Sequence, residues 1–425
     1  MSKEPDALSP HFRWNFGVFL VDYVCFGIAF AFVNISSVMP AFVGRLTDSA
    51  PVVGLVGTVF NGGWLLPQLA VARLINDKPR KKPYMLAGTS GRVAFWIIAL
   101  ALWAGLGRYP TTMLILFFTC LGLFAASDGV ASVAWFDILA RAIPLKQRGR
   151  LIGVGQVISG LAGVGVGMLV RLILDQSLFP NDYALIFTLA GVALTPSVIA
   201  LALVREPPPE NASPETNEQT NGRWLKLLVL DSSFRRLMAC RLMVGMMGLA
   251  TPFYVMHAAD VLHLSQGVIG DFVTAQTSAA VVVSVLLGLV SERWGPRYVA
   301  RIGGAAAIVG PLLALAAHLA GSGWLVRAYP LVYAALGIVN SSWMLGFFNY
   351  LLEIAPEGMR PAYVGLSNTL MGVLTLAPMA GGWLLEATSY TVLFGVTATV
   401  VAVGFLLTLG LKPPHTADQV GESPT

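Results

Sequence analysis

Charge is scarce in this chain. Only 12% of its 425 residues are Asp, Glu, Lys or Arg, where a soluble protein carries about 25%. Cysteine is scarce as well: Cys25, Cys120 and Cys240 each lie in an apolar run and none forms a CxxC pair, which excludes a disulfide framework and a zinc motif. The five histidines are scattered without metal-ligand spacing. No G-x-x-x-x-G-K-S/T phosphate loop occurs, and neither H-E-x-x-H nor G-x-S-x-G is present, so the reading is against an enzyme and against ATP hydrolysis by that route. No cofactor and no metal are expected. The first apolar run is longer than a signal-peptide core and has no A-x-A-like site after it, so it reads as a span rather than a cleaved leader.

Apolar residues fill the space that charge leaves. They make up 56% of the chain, and the mean hydropathy is +0.72. A soluble core cannot hide that much apolar surface, so lipid is the expected solvent for much of it. The 44 glycines agree, because Gly is commoner in membrane helices than in soluble ones. Runs long enough to cross a bilayer, at about 20 residues each, fall near 14–39, 51–75, 84–106, 110–141, 149–174 and 182–204. After a polar stretch rich in Pro, Glu, Asn and Thr, six more fall near 234–262, 267–291, 297–320, 325–355, 361–385 and 389–411. The expected fold is an all-α membrane protein of twelve spans. Residues 1–204 and 234–425 each form a six-helix bundle, and 205–233 form a linker between them.

Basic residues fix the orientation. The side that holds both termini carries 21 Lys and Arg and the other side four, which predicts cytoplasmic termini in a plasma or inner membrane. The formal charge of +5 therefore reflects short loops and does not point to nucleic acid.

The two halves look related. Pro144 and Pro356, Arg148 and Arg360, Gly153 and Gly365, and Gly160 and Gly372 are all separated by 212 residues. Paired six-span repeats are a signature of secondary transporters, whose solute site lies between the repeats near the bilayer midplane.

At this point the chain resembles the major facilitator superfamily over essentially its whole length. That family's loop between spans 2 and 3 follows G-x-L-x-D-R-x-G-R. The second-half copy runs from Gly288 to Arg297 with Glu292 as the acid, and the first-half copy keeps Asp77 followed by Lys78, Arg80, Lys81 and Lys82. It departs with Arg73 and Arg80 at the two Gly positions. The Arg-x-x-x-Gly of span 4 and the Gly-Pro of span 5, common in proton-driven drug exporters, are missing. The resemblance implies two six-helix bundles and alternating access. It also implies a cytoplasmic charge network that latches the outward-facing state through Asp77 and Asp137. The wider candidates for that gate are Lys78, Arg80, Lys81, Arg141, Glu292, Arg293, Arg297 and Glu353.

Charges inside the hydrocarbon are functional candidates. Asp22 in span 1 and Asp128 in span 4 are expected to bind and release protons; an Asp hydrogen-bonded to a neighbouring helix is the plainer alternative. Phe124, Asp128, Ser132 and Trp135 share one helical face and suit a cavity wall. Arg241 in span 7 suits an anionic solute or a pairing with Asp22 or Asp128; a static anchor is the plainer alternative. Arg92 also falls inside a span. Asn61, Trp64 and Gln68 in span 2, and Asn340, Trp343 and Phe347 in span 10, repeat at i, i+3 and i+7. Amides with aromatics suit an amphipathic or polar solute, although such residues also serve interhelical packing.

The expected function is a secondary active transporter of a small solute, acting as a monomer in the lipid bilayer, with proton-coupled efflux as its leading form. An uncoupled facilitator is the second reading. A non-transporting or lipid-moving member of the same fold is the third.

Overall fold

The computed structural model describes residues 11–75, 78–208, 231–356 and 359–413. Twelve helices are long and apolar enough to cross a membrane. In chain order they are α1 (Phe12–Phe32), α2 (Ala50–Gln68), α3 (Lys82–Trp103), α4 (Pro110–Ala142), α5 (Gln147–Gln176), α6 (Asn181–Leu203), α7 (Ser232–Asp260), α8 (Val268–Trp294), α9 (Pro296–Ala320), α10 (Pro330–Ile354), α11 (Ala362–Ala387) and α12 (Tyr390–Leu409). Most of the linker expected at 205–233 lies outside the described residues.

Local chemistry sets the helix ends. Asp231 caps α7 by accepting from the backbone N–H groups of Ser233 at 2.8 Å and Phe234 at 3.0 Å, which satisfies orphan donors of the first turn. Prolines open α4, α9 and α10, where a missing N–H is harmless. Gly295 ends α8 with a φ of 87°, a conformation that L side chains avoid.

Two departures from the expected spans matter. The first run was expected to continue to residue 39, but α1 stops at Phe32 and a separate short helix follows at Val38–Gly44. Asn34 makes the turn: its side-chain oxygen accepts from Ser36 N–H at 2.9 Å and from the Ser37 hydroxyl at 3.2 Å. The second-half spans are also irregular at mid-membrane. Met246–Leu249 in α7 and Gly372–Leu376 in α11 are 3-10 turns, and Trp343–Phe348 in α10 is a π-helix.

Each half buries an aromatic core at the end remote from the termini. Phe42, Phe117, Tyr183 and Phe187 pack together in the first half, and Tyr254, Phe272, Tyr333 and Phe394 are buried in the second. The outward faces stay apolar and exposed, as at Leu100, Leu123, Val282, Leu289 and Leu406. Contiguous apolar surface of that extent is a lipid-facing belt.

The halves meet along two repeat-related seams, α5 on α8 and α11 on α2. A Cβ at Gly160 would overlap Val281 of α8, and one at Gly372 would lie 3.4 Å from Leu65 of α2. The two glycines that match across the repeat therefore occupy matching seams.

Candidate functional site

The halves converge at the end remote from the termini and part toward the termini. At the closed end, Arg171 pairs with Asp271 at 2.8 Å, and Asp175 accepts from Gly267 N–H at 3.1 Å. Asn34 donates to Gln276 at 3.0 Å, and the Tyr333 hydroxyl donates to the Ser36 carbonyl at 3.4 Å. Gly54 and Gly382 let the backbones of α2 and α11 touch, since a Cβ on Gly54 would overlap Pro378 and one on Gly382 would overlap Ala50 and Pro51. Toward the termini the seam opens: a Cβ at Gly149, Gly153 or Gly288 would meet nothing within 4 Å.

A cavity of about 600 Å³ lies between the halves, a size that suits a small organic molecule. Asn61, Trp64 and Gln68 of α2 line one side, and Asn340 and Trp343 of α10 line the other, joined by Thr251, Asn368, Thr375 and Phe348. Among the described residues no Asp or Glu lines it. On the second-half side the wall includes all three irregular turns, in α7, α10 and α11. Interrupted helices at mid-membrane are tolerated where they line a cavity, and π turns often mark functional sites. The π-helix also moves the α10 face: Phe347 is fully buried and Phe348 lines the cavity in its place.

Beside this cavity, within the first half, sits a buried cluster of charges. Arg92 of α3 donates to Asp22 of α1 at 3.0 Å and lies 3.7 Å from Asp128 of α4. It also donates to Ser197 of α6, and its guanidinium stacks over Phe26 at 5.1 Å. The two acids are held unequally. Asp22 accepts from Arg92, from Ser197 and from the Trp135 indole at 2.8 Å. Asp128 has the longer pairing with Arg92 and lies on the turn of α4 that packs against Trp64. Its side chain is 14% exposed against 5% for Asp22, so Asp128 is the acid nearer water. Trp64 thus lines the cavity and packs on α4 beside Asp128. Gly129 makes that approach possible, since a Cβ there would lie 3.2 Å from the Trp64 carbonyl carbon.

Three of the residues expected at the cavity wall sit elsewhere. Trp135 turns its indole to Asp22. Ser132 bonds back to the Gly129 carbonyl at 2.8 Å and faces Gln68 at 3.5 Å. Arg241 meets neither acid: it donates to Ser367 and stacks over Trp343 at 5.6 Å, because Arg92 already occupies the position between Asp22 and Asp128. Arg92 and Ser197 were missed as partners. The rule that singled out Arg241, a charge inside a span, applies equally to Arg92; the partner is what the sequence did not display.

Among the described residues, the charges expected to form the gate are ion-paired in the first half and not in the second. Asp137 bonds Lys81 at 2.7 Å and Arg141 at 2.8 Å, and Arg141 also reaches Glu206 at 2.9 Å. Glu206, another residue the sequence reading missed, accepts from the backbone N–H of Lys81 at 2.7 Å. Lys78 and Arg80 are exposed and pair with no other described residue. Asp77 lies outside the described residues. Glu292, Arg293, Arg297 and Glu353 form no ion pair among the described residues, and Arg297 stacks on Tyr298 at 4.9 Å. The expected gate does not bridge the halves here, because the halves are apart on this side.

Comparison with known proteins agrees with this architecture. An uncharacterized protein of Mycobacterium tuberculosis is 23% identical over 386 residues, spanning 88% of this chain and 72% of its own. The xylose transporter of E. coli in its inward open conformation has a TM-score of 0.67 at 15% identity, covering 96% of this chain and 97% of that one. A bacterial homologue of the iron transporter ferroportin in its inward-facing state also scores 0.67, at 14% identity over 94% of this chain and 98% of its own. The family model of the Major Facilitator Superfamily matches residues 23–373 and 237–425; with twelve spans in two repeat-related halves around one cavity, the chain is a multi-pass membrane protein that belongs to that superfamily.

Proposed function

We propose that this chain is a proton-coupled secondary transporter that carries a small solute by alternating access. With the termini in the cytoplasm, as the loop charges argue, the structure is an inward-facing state of a plasma or inner membrane carrier. One observation carries the reading: Trp64 lines a solute-sized cavity and packs on α4 next to Asp128, a member of a buried cluster of two acids and one base. A solute that moves Trp64 changes the surroundings of Asp128. A proton on Asp128 in turn leaves Arg92 wholly to Asp22. Such two-way dependence is what coupling requires. Asp22, held by three donors, anchors Arg92; Asp128, more exposed, exchanges the proton.

Alternating access requires the closed seam to open and the parted one to close. The closed end is held by few ionic contacts and by glycine-mediated backbone packing, which suits a seam that can separate. The uncoupled facilitator is the second reading, in which the same cluster only braces the first half. Sealed vesicles separate the two. In the coupled case a pH gradient drives the wild type to accumulate solute, whereas Asp128→Asn exchanges solute without accumulating it. Equal accumulation by both proteins would remove the proton role.

A further inference from the structure

The second half holds a buried cation with no anion. Arg241 is only 8% exposed, yet the described residues offer it no carboxylate within ion-pair distance. Its one hydrogen bond goes to the Ser367 hydroxyl, and its Nε is buried without an acceptor. A guanidinium has five N–H donors in a fixed fork that matches a carboxylate or phosphate. Most of that capacity is unused here.

Its place gives the unused donors meaning. The guanidinium lies within about 6 Å of the Trp343 ring, cation–π distance, and Trp343 is cavity wall. Ser367 precedes Asn368, and Gly245 stands one turn along α7 from Arg241; both Asn368 and Gly245 line the cavity. Arg241 is therefore separated from the cavity by one aromatic ring, at the π-helix of α10 where backbone and side chains can shift with least loss of regular bonding. Among the described residues the cavity lining has no acid that would repel an anion.

We infer that the solute is a small organic anion whose charged group is taken by Arg241 while an apolar or ring portion lies against Trp64, Trp343 and Phe348. The amides of Asn340 and Asn368 supply neutral donors beside that charge. This rests on the transporter reading of the cavity and adds the substrate class. A neutral solute would leave the guanidinium without an anion in this state, and a cationic one would meet repulsion.

The test uses the full chain in nanodiscs with matched probes: phenylacetate against phenylacetamide, and benzenesulfonate against benzenesulfonamide. Binding is read as a ligand-induced shift in melting temperature, which needs no gradient and no transport. Both anions are expected to stabilise the wild type and the amides are not. Arg241→Gln should weaken anion binding about tenfold or more, the range for a charge-assisted bidentate contact, while Arg241→Lys keeps part of it. Ser367→Ala, which frees a donor, should leave anion binding intact or tighter. Equal stabilisation by acid and amide, an anion shift that survives Arg241→Gln, or no shift with either anion overturns the inference. Counterflow in proteoliposomes then separates the two claims. Arg241-dependent anion binding without counterflow would defeat the transporter reading and leave the anion site standing, and counterflow of neutral solutes alone would do the reverse.

Discussion

Among the described residues each half of the molecule buries one arginine, and the two are treated in opposite ways. Arg92 in the first half is 6% exposed and touches two carboxylates, a serine and an aromatic ring. Arg241 in the second half is 8% exposed and has a serine and an aromatic ring only. Burial alone does not separate them; the carboxylates do. Taking a charge out of water costs several kcal/mol unless a partner offsets it. The first half offsets it internally with two carboxylates, and among the described residues the second half supplies none. The π and 3-10 turns that line the cavity belong to α7, α10 and α11, while the first half has a 3-10 turn at Ser90–Arg92 in α3, which carries the buried arginine.

The largest effect that would sharpen this contrast is on stability. Arg92→Met leaves Asp22 and Asp128 buried beside each other without a cation. It should destabilise the first half by about 3–5 kcal/mol, the scale for removing one partner of a buried ion pair. Arg241→Met removes a charge that has no carboxylate, so it should be neutral or stabilising by up to about 4 kcal/mol. Thermal melts of the two purified variants check this; equal losses would dissolve the distinction between the halves.

Gly54→Leu comes next. Its side chain would run into the Pro378 backbone across the closed seam, and backbone cannot move aside as a side-chain tip can. The expected outcome is a protein that folds but is biased toward opening at the end remote from the termini. A cysteine at Asn340, with the native cysteines replaced, should then react with an impermeant thiol reagent from that side several-fold faster than in the Gly54 parent. An unchanged rate would mean that the seam does not gate access.

A smaller effect is expected at Gly245. A Cβ there meets only the far end of the Leu374 side chain, which can rotate away. Gly245→Ala should cost less than about 1 kcal/mol in a melt and change transport little, whereas Gly245→Leu should slow it. The smallest disturbance is a single cysteine placed within 205–233, which the loop charges predict is labelled from the cytoplasm alone. Labelling from the opposite face would invert the assignment of the state as inward-facing.

Much of this was legible in the sequence, for definable reasons. Spans follow from apolar run length, and the repeat follows from matched Pro, Arg and Gly positions. Asn61, Trp64, Gln68, Asn340 and Trp343 meet at the cavity because helical periodicity places them on faces and the repeat brings those faces together. What was hidden depends on tertiary geometry. The Arg92 cluster draws on α1, α3, α4 and α6, and no spacing within one helix reveals a partner on another. The π turn in α10 carries no proline to announce it; Phe347 is buried, in keeping with the packing role favoured for it, and Phe348 at the cavity was not foreseen. The turn at Asn34 sits within an apolar run, where hydropathy sees only continuity.

The central claim is that Asp128 links the proton to the solute through Trp64. Proton movement in sealed inverted vesicles tests it most directly. An imposed acid-inside gradient is followed with a pH probe while organic anions are added one at a time. The account predicts a solute-dependent pH response in the wild type that disappears in Asp128→Asn, although that variant still exchanges the same solute in counterflow. A response of equal size in Asp128→Asn would contradict it.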